Sequence, residues 1–205
     1  MTASQLAPTA ADDPTVAWSR RVRRVGGFIQ LAFAAFWLAR GGLSIHGGTG
    51  LGLAAVLVVI AATALGYGLR ATAGAGSRPS GPEARRIERA VTVATVIQLV
   101  ASFAAPAAVI AAGHSDWVLP SIAVTIGPLL LWLDHRVRIP RYRVAGWVLI
   151  VGPIILVATT SGTALAAATG IAAGVLLLGT ATAGFHDLAT GRAASHTVEA
   201  RNLSV

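Results

Sequence analysis

The sequence of 205 residues contains no cysteine and no lysine, and only 12% of its residues are charged. A soluble globular domain carries about 25% charged residues, so this shortage argues against a soluble fold. The absence of cysteine excludes a disulfide scaffold and removes the thiolate ligands that soft metals prefer. Apolar residues instead make up 55% of the chain. These proportions predict a protein that crosses a membrane several times.

Acidic residues are scarce as well, with 8 Asp and Glu against 16 Arg. The sequence has no glycine-rich phosphate loop and no Gly-x-Ser-x-Gly motif, and its only adjacent acids lie in the N-terminal tail. Nucleotide hydrolysis, serine hydrolysis and metal-dependent ionisation of a prenyl diphosphate therefore have no visible site. The histidines lie at the ends of apolar segments rather than within them, so we expect no haem and no other cofactor.

Six apolar segments have about the length needed to cross roughly 30 Å of hydrocarbon as helices. They are residues 25–45, 51–69, 90–112, 117–133, 144–160 and 164–185. The sequence therefore predicts an all-α, polytopic transmembrane bundle of six helices arranged as three hairpins. We expect a disordered basic tail over 1–24, a transmembrane domain over 25–187 and a C-terminal tail over 188–205. The third helix is expected to begin near Pro82, because proline is favoured at the first helical position.

The arginines predict the orientation of these helices. Four precede the first segment, five separate the second from the third, four separate the fourth from the fifth, and two follow the sixth. The other three connections contain none. Loops rich in positive charge face the cytoplasm. We therefore predict a plasma-membrane protein with both termini in the cytoplasm, and we interpret its positive charge as a topology signal rather than as a site for nucleic acid.

One arginine, Arg40, lies inside a predicted span, in the outer third of the first helix. A charged side chain at that depth either reaches outwards to the interface or pairs with an acid. The only acid on the outer side is Asp116. Trp117 on its own also fits the belt of aromatic residues at a membrane interface. The pairing alternative predicts a polar cluster at the outer mouth of the bundle, formed by Trp37, Arg40, His46, His114, Asp116 and Trp117.

A second polar group is predicted at the cytoplasmic ends of the helices. Asp134 is followed by His135 and Arg136, and further arginines occur at 138, 141 and 143. Such a basic segment either binds an anionic lipid or a diphosphate group, or serves only as a solvated cytoplasmic loop.

The last apolar segment contains a small-residue motif, Gly170-x-x-x-Gly174. Glycines at this spacing allow two helices to approach closely in a membrane. The motif predicts packing within one bundle or, as the alternative, a homo-oligomer through Gly170 and Gly174. No convincing repeat relates the hairpins, so an inverted-repeat transporter gains no support.

Two classes of function remain. The first is an integral membrane enzyme that acts on an apolar isoprenoid-type substrate. Burial in hydrocarbon disfavours the charged form of a carboxyl group, which suits a proton donor, and aromatic faces can stabilise carbocations. The second is a small transporter, a channel or an accessory membrane subunit. Ion-coupled carriers usually place acids near the bilayer midplane, and none occurs there in this sequence.

A resemblance to a known class bears on the first alternative. The chain's size, its hairpin arrangement and the stretch WLDHRVRIP at 132–140 with Tyr142 resemble small actinobacterial integral membrane proteins. Some of those proteins resemble membrane-bound terpene cyclases. The resemblance implies an isomerase or lyase that protonates an alkene or epoxide, with Asp116 or Asp134 as donor. Our further candidate catalytic residues are Arg40, His114, Trp37 and Trp117, and the expected partners are membrane lipids and an apolar small molecule.

Overall fold

A computed structural model describes residues 14–45, 47–72, 82–137 and 139–190 of the chain. All regular elements within these ranges are helical, which confirms the predicted all-α fold. A single 3-10 turn, Ser115–Trp117, precedes the fourth helix. The six α-helices are α1 (Pro14–Leu43), α2 (Gly48–Ala71), α3 (Pro82–Ala111), α4 (Val118–Val137), α5 (Pro140–Thr159) and α6 (Gly162–Ala189).

Five of these helices, α2 to α6, are long and apolar enough to cross a membrane. The protein is therefore a multi-pass membrane protein. The helix α1, whose second half contains Gln30 and Arg40, is not among the five. The predicted start of the third helix near Pro82 is confirmed.

The helix α1 begins at Pro14, well inside the segment 1–24 that we expected to be a disordered tail. Proline suits the first turn of a helix because its missing N–H has no helical acceptor there, and the arginines that follow are good helix formers. Residues 1–13 and 191–205, which make up the rest of the two predicted tails, lie outside the described residues.

The short connections on the predicted outer side each contain a glycine with a positive φ angle. These glycines are Gly47 between α1 and α2, Gly113 between α3 and α4, and Gly162 at the start of α6. Residues with a Cβ atom rarely adopt this conformation, so glycine allows the chain to reverse direction within a few residues.

The most extensive helix contact joins α1 and α6, which run antiparallel. A Cβ atom added to Gly170 would lie 2.6 Å from the Cα atom of Gly41, and one added to Gly27 would lie 2.8 Å from the Phe185 ring. Glycines at both ends of the contact therefore allow the two backbones to approach closely. The residues of α1 from Gly27 to Gly41 lie at the same depth as residues 170–185 of α6.

The core lies among α1, α4, α5 and α6, and its main cluster includes Trp37, Leu130, Tyr142 and Leu177. The helices α2 and α3 are peripheral. They contact α1 and α4 respectively along one face and leave large apolar side chains exposed on the others, such as Val59 and Phe103. In a bilayer these faces contact lipid, since lipid tails are as apolar as leucine.

Candidate binding groove and polar clusters

Arg40 and Asp116, which the pairing alternative placed together at the predicted outer mouth, are not paired. Gly41 packs beside Gly170, eight residues after α6 begins, so Arg40 lies about 12 Å from the N-terminal end of α6 along the helix axis. Its side chain is exposed and makes no ion pair with any residue that the structure describes. The exposed stripe that carries Arg40 is otherwise apolar and includes Ile29, Phe33, Phe36 and Leu43.

Asp116 instead contacts the start of α6. The backbone N–H of Gly162 donates a hydrogen bond of 3.1 Å to Oδ2 of Asp116. The first N–H groups of a helix lack partners within the helix, and the helix dipole favours negative charge there. Asp116 thus ties the connection between α3 and α4 to the N-terminus of α6.

His114 and Trp117 lie beside Asp116 and form a stacked pair. Their ring centroids are 4.1 Å apart and the rings are nearly parallel, with an angle of 8°. Both residues are exposed, and Trp117 fits an interfacial aromatic residue at this end of α4. His46, which we expected in the same cluster, lies outside the described residues.

Trp37 does not join this outer cluster, because its side chain lies in the core. It is fully buried among residues of α4 and α6, including Ala123 and Leu177. Its Nε1 atom has no hydrogen-bond partner in the part of the chain that the structure describes. The helical turn that separates Trp37 from Arg40 therefore places one side chain inside the bundle and the other outside it.

Two ion pairs lie at the end of the bundle that is formed by the C-termini of α4 and α6 and the N-terminus of α5. Asp134 is buried and its Oδ2 accepts a hydrogen bond of 2.8 Å from Nε of Arg143. Asp187 accepts one of 2.5 Å from Arg141. Both arginines lie in the first turn of α5, so these contacts hold the start of α5 against α4 and α6. Asp134, a candidate proton donor, is therefore held by a cation.

A groove of about 860 Å³ lies between α3 and α4. Its volume lies in the range of about 300–1,000 Å³ that small-molecule sites occupy. The α3 side of the groove includes the small side chains of Ala90, Ala94 and Ala101, and the α4 side includes Pro128. The lining is otherwise mostly apolar and consists of Arg89, Ala90, Val93, Ala94, Ile97, Gln98, Ala101, Val124, Thr125, Pro128, Leu129 and Trp132. Asp116 and Asp134 do not line the groove.

A polar network lies in the middle of this groove. Nε2 of Gln98 donates hydrogen bonds of 2.9 Å to Ser102 and 3.2 Å to Thr125. The hydroxyl of Thr125 donates in turn to the carbonyl of Ile122. The Oε1 atom of Gln98 accepts no hydrogen bond from the residues that the structure describes. Gln98 is close to the middle of the apolar segment Glu88–Ala111, where an unpaired polar group is costly.

Positive charge lies at one end of the groove. Arg89 lines the groove at the end formed by the start of α3 and the end of α4, and Arg136 lies over the ring of Trp132, with its Cζ atom 5.7 Å from the ring centroid. Neither arginine forms an ion pair with a residue that the structure describes. The sequence analysis placed Arg136 in the second polar group, but it did not single out Arg89 as a site residue or Thr125 as a partner of Gln98.

Gly170 and Gly174 of α6 pack against α1 of the same chain. A Cβ atom on Gly174 would lie 2.5 Å from Cγ of Leu38, and Gly170 contacts Gly41. The first alternative for this motif, packing within one bundle, describes these contacts. A contact between two copies through the same glycines stays a prediction, and it would require α1 to leave this position.

The helices and their apolar lengths define an all-α, multi-pass membrane protein with a groove between two of its helices. Comparisons of this chain with protein families, with curated proteins and with solved structures find no match.

Proposed function

We propose that this protein is a six-span plasma-membrane protein that binds an apolar, isoprenoid-type molecule in the groove between α3 and α4. The observation that carries the proposal is the groove itself. Most of its lining side chains are apolar, mainly alanine, valine, isoleucine and leucine, and it lies within segments that match the thickness of a bilayer. A long hydrocarbon molecule can occupy such a groove without leaving the membrane.

The sixth span in this proposal is α1. Its residues from Gly27 to Gly41 lie beside the membrane-spanning part of α6, so they share its depth. The polar side chain that reduces its apolar character there, Gln30, is buried and faces Thr180 of α6 at 3.5 Å. With six spans, both termini and fifteen of the 16 Arg lie on the cytoplasmic side.

An enzymatic role is the further step of this proposal. Proton-initiated cyclisation, as in a terpene cyclase, requires an acid within reach of the bound chain. The candidates are Asp116, which caps α6, and Asp134, which is paired with Arg143. Because neither lines the groove, the geometry supports binding more strongly than acid catalysis. A carrier or an accessory subunit that holds the same molecule is the alternative.

Photolabelling of the protein and of a variant whose groove is filled tests the binding proposal. The protein is purified, placed in nanodiscs and exposed to a photoreactive isoprenoid alcohol, and the labelled peptides are identified by mass spectrometry. We expect labels on α3 and α4. Ala94→Phe, which fills the groove, should weaken labelling about tenfold, or ~1.4 kcal/mol. Ala104→Phe is the matched control, because Ala104 lies exposed on α3 outside the groove.

Two results would contradict the proposal. One is labelling of the Ala94→Phe variant at the level of the unchanged protein. The other is labelling spread over all lipid-facing helices, which would show that the probe marks the bilayer boundary rather than a site.

A further inference from the structure

We infer that the molecule held in the α3–α4 groove carries a phosphate-type anionic head, which Arg89 and Arg136 bind at the cytoplasmic end while the apolar chain runs towards Gln98. This inference rests on the binding function proposed above and specifies the class of ligand. A prenyl diphosphate and an anionic phospholipid share this chemistry.

The two arginines lie at the same depth. The contact between Gln98 and Thr125 fixes the register of α3 against α4. Arg89 lies nine residues from Gln98, and Arg136 lies eleven residues from Thr125. At about 1.5 Å per residue these separations are roughly 14 and 17 Å, and both run towards the cytoplasmic side. Both arginines therefore belong to the same end of the groove, where Arg89 is part of the lining and Arg136 lies over Trp132, another lining residue.

That depth matches the boundary of the hydrocarbon. Gln98 lies near the middle of its apolar segment, and half of a bilayer core is about 15 Å thick. Arg89 and Arg136 are thus at the level of lipid phosphates, while the groove between them and Gln98 lies in hydrocarbon. An amphiphile that enters from the cytoplasmic leaflet meets a positive end first and an apolar wall beyond it.

Neither Arg89 nor Arg136 forms an ion pair with an acid among the residues that the structure describes. The groove lining contains no Asp or Glu, and Asp134 nearby is engaged by Arg143. Glu88, the neighbour of Arg89, has an interaction of its own. Arginine binds phosphate oxygens through two parallel hydrogen bonds, and such charged bonds are about twice as strong as neutral ones. The surface of Trp132 under Arg136 holds that guanidinium at the groove by a cation–π contact.

Competition in neutral nanodiscs tests the inference. The photoreactive isoprenoid alcohol is bound to the protein, and farnesyl diphosphate is compared with farnesol, and phosphatidylglycerol with phosphatidylcholine. We expect an anionic compound to compete about tenfold better than its neutral counterpart. Arg89→Gln and Arg136→Gln should each remove that advantage. Arg85→Gln is the control, because Arg85 is one helical turn away on α3 and does not line the groove.

The results separate the sources and the two proposals. Competition by farnesyl diphosphate alone supports a prenyl diphosphate, and competition by phosphatidylglycerol alone supports a phospholipid. If neutral and anionic compounds compete equally, or if Arg89→Gln behaves as Arg85→Gln does, the anionic head is wrong while the apolar site stands. If the alcohol does not label the groove at all, the binding function fails and this inference fails with it.

Discussion

Asp134 and Arg143 form an asymmetric ion pair, since the Asp134 side chain is 6% exposed and that of Arg143 is 68% exposed. Removing the arginine leaves a buried carboxylate without its partner, which costs about 1–3 kcal/mol. Replacing the acid with asparagine removes the charge and keeps an acceptor for Arg143. The cost of the pair's loss therefore depends on which partner is changed.

We expect Arg143→Gln to lower the free energy of unfolding by about 1–3 kcal/mol and Asp134→Asn by less. The measurement is reversible unfolding of the purified protein in mixed micelles. Arg85→Gln, which changes an exposed arginine of α3, should leave stability unchanged within error. Equal losses for the two variants of the pair would show that the carboxylate is not the costly member.

Two substitutions at Asp116 distinguish a structural role of this residue from a catalytic one. Loss of an N-terminal helix acceptor costs about 0.5–2 kcal/mol, so Asp116→Ala should destabilise the protein by this amount. Asp116→Asn keeps an oxygen for the N–H of Gly162 and should be close to the unchanged protein in stability. Turnover of an isoprenoid substrate by membranes gives the second readout. Full turnover by Asp116→Asn would exclude Asp116 as the proton donor.

At the scale of the helices, the contact between α1 and α6 depends on glycine. A Cβ atom on Gly170 would meet backbone atoms of Gly41 and Trp37 within 2.8 Å, and backbone cannot rotate away as a side chain can. The helices would have to separate, with loss of packing along the contact. Gly179 lies on the same helix with nothing within 4 Å of its added Cβ atom, so it offers a matched comparison.

We expect Gly170→Ala to lower the free energy of unfolding by about 1–3 kcal/mol. The control Gly179→Ala should leave stability unchanged or raise it by up to about 1 kcal/mol, because alanine is the better helix former. Both variants are measured by unfolding in mixed micelles. A stable Gly170→Ala variant would mean that α1 does not pack against α6 along this face.

The order of the helices and the positions of α2 to α6 follow from the sequence, whereas the start of α1 and the packing partners of the helices do not. Runs of about 20 apolar residues set the positions of α2 to α6, and the Gly170–Gly174 spacing marks a smooth face of α6. The face that covers it is set by Gly41 and Leu38, which belong to a different helix and show no pattern of their own. Sequence spacing describes one helix at a time, so a contact between two distant helices is not contained in it.

In the candidate site, too, the sequence indicates features of single helices but not the contacts between helices. The depth of Gln98 within its segment is evident from the sequence, but its partner Thr125 is on another helix. Trp37 and Arg40 lie one turn apart, which indicated a shared face, yet one is buried and the other exposed. A separation of three residues turns a helix by about 60° from full alignment, and the edge of the bundle falls between the two side chains.

At the scale of the whole molecule, the distribution of arginine and the position of α1 both bear on the number of membrane spans. The fifteen Arg outside the predicted spans lie on one side only if the number of spans is even. Five spans would place the arginines before α1 on the side opposite to those after α6. In the six-span topology that we propose, α1 crosses the membrane beside α6, which it contacts, and all fifteen of these arginines lie on one side.

Accessibility in intact cells tests this topology. The chain contains no cysteine, so single cysteines at Ser115 and Ser161 report on the predicted outer connections without background. We expect both to react with a membrane-impermeant maleimide, and a cysteine at Thr190, after α6, to react only once the cells are opened. Tags fused to the two termini should both be protected from added protease. A protected C-terminal tag with a digested N-terminal tag would show that α1 does not cross the membrane.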